Sequence, residues 1–195
     1  KEKTKMSKLT LSSKIVGILT LALLLFSCNP IENDSDSSSF IVVESIMGKD
    51  ISGNDSTVAF SDVSNGLPDF VTATLRSAML DPNPINGVSQ YSDILLTRYV
   101  VTYTRSDGST AEGSAVPYHF EATLSTLLPV GSSVSLPLMI VTETAKSQAP
   151  LAALAGTADV LDCTARIEFF GHDLRNKNVS QVASIQIRFL DFPNL

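Results

Sequence analysis

From about Phe40 to the end of the chain, apolar residues recur at every second position, and no other feature restricts the possible folds as much. Ile185, Ile187 and Phe189 alternate with Ser184, Gln186 and Arg188. Successive side chains of an extended strand point to opposite faces, so this pattern describes a strand with one face in a core and the other in water. Cys163, Ala165, Ile167 and Phe169 alternate in the same way with Thr164, Arg166 and Glu168. Tyr99, Val101 and Tyr103 do so with Arg98, Val100 and Thr102, and Val71, Ala73 and Leu75 with Thr72, Thr74 and Arg76. Further strands are expected over residues 40–46, 57–60, 118–127 and 134–144. Turn-forming runs separate them: Ser64-Asn65-Gly66, Asp81-Pro82-Asn83-Pro84, Ser106-Asp107-Gly108 and Asn176-Lys177-Asn178. Residues 149–156 alone read as helical, one or two turns opened by Pro150 and stopped by Gly156. Eight or so short strands without βα alternation predict an all-β fold, an antiparallel β-sandwich.

The first 27 residues do not follow this period. Lys1, Lys3, Lys5, Lys8 and Lys14 stand against Glu2 alone, and an apolar run from Ile15 to Phe26 follows. A basic head, a short apolar run and a small residue at Ser27 describe a secretory signal, and the run is shorter than the ~20 residues of a membrane span. The chain opens on Lys, so Met6 is an alternative start. After Cys28, the polar, Ser-rich and acidic run from Asn29 to Ser39 cannot bury enough apolar surface to order itself and is expected to be a flexible linker. The expected organisation is a signal peptide over 1–27, a linker over 28–39 and a sandwich domain over 40–195.

Leu25-Phe26-Ser27-Cys28 resembles the lipobox of bacterial lipoproteins, with Phe26 bulkier than the usual residue at its position. The resemblance implies cleavage between Ser27 and Cys28 and a diacylglyceryl thioether on Cys28. The chain would then be anchored by lipid in a bacterial cell envelope, and Asn29 after the cysteine favours the outer membrane. Residues 98–108, 116–120 and 169–179 resemble segments of uncharacterised bacterial lipoproteins with immunoglobulin-like sandwich domains. That family implies an immunoglobulin-like fold and supplies no catalytic or binding residue to carry over.

Charge and composition exclude several functions. The whole chain has 14 Lys and Arg against 20 Asp and Glu, a net charge of −6. Removing 1–27 takes five lysines and one glutamate, leaving nine basic and nineteen acidic residues, or −10. Such a chain is a poor ligand for a phosphate backbone, so no nucleic-acid partner is expected. Two cysteines and two histidines offer little for a metal site, and neither metal nor cofactor is expected. There is no Gly-x-Ser-x-Gly elbow. His172-Asp173 sits at a strand end where neighbours point apart, so Asp173 reads as a turn residue bonding its own backbone. His119, between Tyr118 and Phe120, reads as packed or half-exposed. Cys163 falls on the apolar face and is expected to be a buried, inert thiol. The acidic groups Asp50, Asn54 and Asp55, and Asp81 and Asn83, are turn residues with the chemistry of weak Ca²⁺ loops. The EF-hand pattern is missing from Asn33-Asp34-Ser35-Asp36. Tyr91, Tyr99, Tyr103 and Tyr118 are the candidates for sugar stacking.

Three functions follow. The first is a non-enzymatic binding, adhesion or scaffolding module whose partner is an unknown envelope protein or glycan. The second is a glycan or small-ligand module using loops 81–92 or 107–117. The third is an envelope hydrolase built on His119, His172 and a carboxylate.

Overall fold

The computed structural model describes residues 37–85 and 87–192. Ser27, Cys28, the leader and the linker as far as residue 36 lie outside the described residues. Within them, each alternating segment is a strand: β1 (Ser39–Lys49), β2 (Asp55–Ser56), β3 (Val58–Asp62), β4 (Asp69–Met79), β5 (Ile94–Arg105), β6 (Phe120–Leu128), β7 (Ser133–Val141), β8 (Leu161–Asp173) and β9 (Asn178–Leu190). Among the described residues, the helical content is the four-residue α1 (Glu143–Lys146) and two 3₁₀ turns, Gln90–Ser92 and Leu151–Ala153. The helix expected over 149–156 is therefore a single tight turn, and Pro150 precedes it after a cis peptide bond.

The strands form two sheets of an all-β sandwich, β2-β1-β4-β7 and β3-β9-β8-β5-β6. Every pairing between strands is antiparallel except β3 with β9, which runs parallel from Val58 opposite Gln186 to Asp62 opposite Leu190. The inward faces are those the alternation marks. Ile185, Ile187 and Phe189 are buried while Gln186 and Arg188 are exposed, and Cys163, Ala165, Ile167 and Phe169 are buried on β8. Leu75, Leu138 and Ile140 face them from the other sheet in one core. Full burial of a side chain of this size contributes about 1.5–3 kcal/mol, so this core carries the fold.

Tyr99 and Tyr103 belong to that core. Each donates its hydroxyl across the sandwich to a β7 carbonyl, Tyr99 to Met139 at 3.1 Å and Tyr103 to Ile140. Burial holds both phenols above their ordinary pKa. Two glycines mark places where backbones close in. A Cβ on Gly48 would lie 2.5 Å from Ala59 Cβ, where β1 crosses β3, and one on Gly171 would lie 2.4 Å from the Leu95 carbonyl oxygen. Gly171 faces Leu96, beside the register shift that β5 makes between Leu96 and Arg98.

Candidate functional site

The residues with chemical potential are scattered along the sandwich. His172 faces Leu95 on β5, while β6 begins with Phe120 facing Val101. Those positions are six residues apart, so His119 and His172 are separated by on the order of 20 Å along the strand. His119 precedes β6 rather than lying in it, and its side chain is exposed with Nδ1 2.8 Å from Glu112 Oε1. His172 turns its Nδ1 to the carbonyl of Asp173, 3.0 Å away. Asp173 itself is fully buried and organises the β8–β9 turn. Its Oδ1 accepts from the Arg175 and Lys177 amides, each at 2.9 Å, and its Oδ2 from the Ser37 hydroxyl at 2.8 Å. Burial alone would raise its pKa, but these three donations outweigh burial and hold it below the usual carboxylate value.

The acidic loops are turns of the same kind. Asp50 Oδ1 accepts from the Ser52 and Asn54 amides at 2.8 Å, and Asp81 Oδ1 from the Asn83 amide at 2.9 Å. Among the described residues, no group of three or more His, Cys, Asp or Glu is placed to hold a metal ion. Cys163 is buried, and burial pushes its thiol up to about 11. Tyr91 and Tyr118 are exposed at different places, so the four tyrosines make no stacking row.

One charged cluster escaped sequence reasoning. The Lys146 side chain is 1% exposed, and its ammonium donates to the Asp62 carbonyl at 2.8 Å, to Asn65 Oδ1 at 2.9 Å and to the Asp69 carboxylate at 3.0 Å. Ser61 donates its hydroxyl to the same carboxylate. Burial raises the Asp69 pKa despite the opposing pull of Ser61 and Lys146. All three hydrogens of the ammonium are engaged, so the cluster clamps the β3–β4 loop onto α1. A lysine in the last turn of a short helix usually points to water, and its partners lie 77–84 residues away, so no local signal announces this role.

Two open grooves lie on the outer face of the larger sheet. The bigger, about 580 Å³, runs past Phe60, Asp162, Thr164, Gln186 and Arg188. Asp162 holds the Arg188 guanidinium by two contacts of 2.7 and 3.3 Å, and the guanidinium carbon lies 5.8 Å from the Phe60 ring centre. The second, about 400 Å³, has Arg98 stacked 3.8 Å over Phe170. Hydroxyls, an amide and a fixed guanidinium beside an aromatic ring suit a polar, hydroxyl-bearing ligand.

A third surface sits where the described chain begins. β1 starts, β4 ends, β5 starts and β8 ends at this leading end of the sandwich. Hydrogen bonds stitch the two sheets together here. Ser77 Oγ donates to the Ser92 carbonyl at 3.0 Å, the Val130 amide to Asp93 Oδ1 at 2.9 Å and the Leu174 amide to the Asp93 carbonyl at 3.2 Å. From this base the β4–β5 loop projects Leu80, Ile85, Val88 and Tyr91, exposed by 62, 101, 67 and 61%.

No family model and no curated protein matches this sequence. Among solved structures, the chain is similar to the sporulation control protein Spo0M of Bacillus subtilis, with 11% identity and a TM-score of 0.30 over 78% of this chain. The match spans half the length of that protein. Among the described residues, no helix is long and apolar enough to cross a membrane.

Proposed function

We propose that the chain is a lipid-anchored envelope protein whose sandwich is a non-catalytic binding, adhesion or scaffolding module. One observation carries the non-catalytic part: the groups that the sequence offers to chemistry are engaged in holding the fold. Asp173 ties a turn, Cys163 fills the core, Lys146 and Asp69 clamp a loop, and the two histidines stand far apart. The lipobox-like Leu25-Phe26-Ser27-Cys28 carries the anchored part. We read the sandwich as immunoglobulin-like. The order β1-β4-β7 facing β3-β9-β8-β5-β6 matches strands A-B-E facing A′-G-F-C-C′, with β1 and β3 sharing the first strand between the sheets. A glycan or small polar ligand is the second reading, favoured by the groove beside Phe60 and Arg188.

The anchor is tested by Cys28→Ala. Wild-type protein should sediment with membranes and carry lipid on Cys28 by mass spectrometry, whereas the variant should accumulate as unprocessed precursor or in the soluble fraction. A processed variant that stays on the membrane as before would refute the anchor. Capture of partners with the wild-type protein from native membranes, set against purified envelope glycans, separates the two module readings.

A further inference from the structure

We infer that the leading end of the sandwich is a membrane-contacting surface, its β4–β5 loop dipping Leu80, Ile85, Val88 and Tyr91 into the bilayer interface. This inference rests on the lipid-anchor reading and extends it from the tether to the folded domain.

The geometry begins with the tether. A chain anchored at Cys28 reaches Ser37, the first described residue, after nine residues. Ser37 is buried and bonded to Asp173, so the folded domain holds the chain from that residue onward. A linker of the kind expected from the sequence would, over nine residues, have an r.m.s. span of about 15–18 Å and a full extension of roughly 30 Å. Such a tether would keep the leading end within about 30 Å of the lipid surface. β4 and β5 run 11 and 12 residues away from it, so the far end lies roughly 35–40 Å from the leading end. That exceeds the longest tether, so the domain cannot stand fully inverted on its far end over the same bilayer.

The side chains at the leading end fit such a neighbour. Leu80, Ile85 and Val88 are apolar and outside the core, and Tyr91 joins an apolar ring to a hydroxyl that stays in the wet headgroup layer. Leu174 is exposed on the adjoining β8–β9 turn, followed by exposed Arg175 and by Lys177. Cations beside apolar tips suit anionic headgroups. Asp81, exposed on the β4–β5 loop, offsets one of them, so the apolar tips rather than net charge carry the fit. The loop base is rigid: Ser77, Ser92, Asp93 and Val130 hold it to both sheets, and Ser89 caps the turn that carries Tyr91.

The test uses the full, lipidated chain in vesicles of phosphatidylethanolamine with a minority of phosphatidylglycerol. Lipidated Cys28 and buried Cys163 leave an introduced cysteine as the accessible thiol. Ile85→Cys receives an environment-sensitive fluorophore, and so does Leu67→Cys, an exposed apolar position on the β3–β4 loop at the far end. The Ile85 label should shift to the blue and be quenched severalfold more strongly by spin-labelled lipid than the Leu67 label, which should follow aqueous iodide. Equal iodide quenching at both sites would overturn the inference. So would an Ile85 label shielded from iodide but untouched by lipid quenchers, which would mean that protein covers the loop. Flotation of the unlabelled protein with the vesicles reports the anchor separately: protein that does not float, or that carries no lipid, defeats the anchor reading before the loop is probed.

Discussion

Replacing Lys146 by Met gives the sharpest test of how this domain is held together. The substitution keeps length and packing volume but removes the ammonium that bridges Asp62, Asn65 and Asp69. Asp69 is left as a largely buried carboxylate, its side chain 21% exposed, with Ser61 as its remaining donor. Breaking a buried pair from one side costs about 3–5 kcal/mol, and the partial exposure of Asp69 sets the expected loss near the lower bound, ~3 kcal/mol. For a domain of this size that lowers Tm by about 6–12 °C. With no Trp in the chain, urea unfolding is followed by far-ultraviolet circular dichroism or tyrosine fluorescence. The double variant Lys146→Met/Asp69→Asn removes both charges, and its loss should be smaller than the sum of the single losses by on the order of 1–3 kcal/mol. A loss below about 1 kcal/mol for Lys146→Met, the range of exposed pairs, would refute the clamp. Strict additivity of the two substitutions would refute it equally.

Two further outcomes follow from groups that the fold perturbs. The folded-state pKa of Asp173 is depressed, so its carboxylate stabilises the domain above the unfolded value near 3.9 and that contribution fades as pH falls through the folded value. Asp173→Asn should therefore be less stable than wild type by roughly 1–3 kcal/mol at pH 7, with the gap closing on acidification; a gap that is flat between pH 7 and pH 3 would contradict this assignment. Cys163, with its thiol raised to about 11 and buried among Ala165, Ile187 and their neighbours, should resist maleimide at pH 7 in native protein and react once urea unfolds it; rapid native labelling would show that the position is open.

What could be read from the residues was whatever a few neighbours decide. Period two is local, so Ile185-Gln186-Ile187-Arg188-Phe189 announces both its strand and its buried face without reference to the rest of the chain. Asx turns are local as well, and Asp50, Asp81 and Asp173 all bond amides two to four residues ahead, as their turn chemistry implies. Long-range pairing was not legible. Nothing in Val58-Ala59-Phe60 specifies a parallel partner 128 residues downstream, and nothing around Lys146 points to Asp62. Tyr118 shows the intermediate case. Its neighbours favour extension, yet the strand opens at Phe120, and the Tyr118 ring lies instead over Gly113, where a Cβ would meet its hydroxyl at 2.3 Å. For the candidate surface, Ile85 and Val88 were readable as loop residues, but their place at the same end of the sandwich as Ser37 and Arg175 comes from topology alone.

The register of β1 also determines how the domain answers a pull. Force applied at Ser37 acts along β1, toward the end at which Ser39 faces Met79 of antiparallel β4. The bonds from Ser39–Met79 to Met47–Thr72 are then loaded side by side, in shear, and must yield together rather than open one after another as a zipper would. Farther along the same chain, β3 is laid parallel to β9 in the opposite sheet and resists the same displacement with a second ladder. Drag on the domain is thus borne by two sheets at once, and the mechanically weak direction is sideways, peeling β1 off β4, not lengthwise.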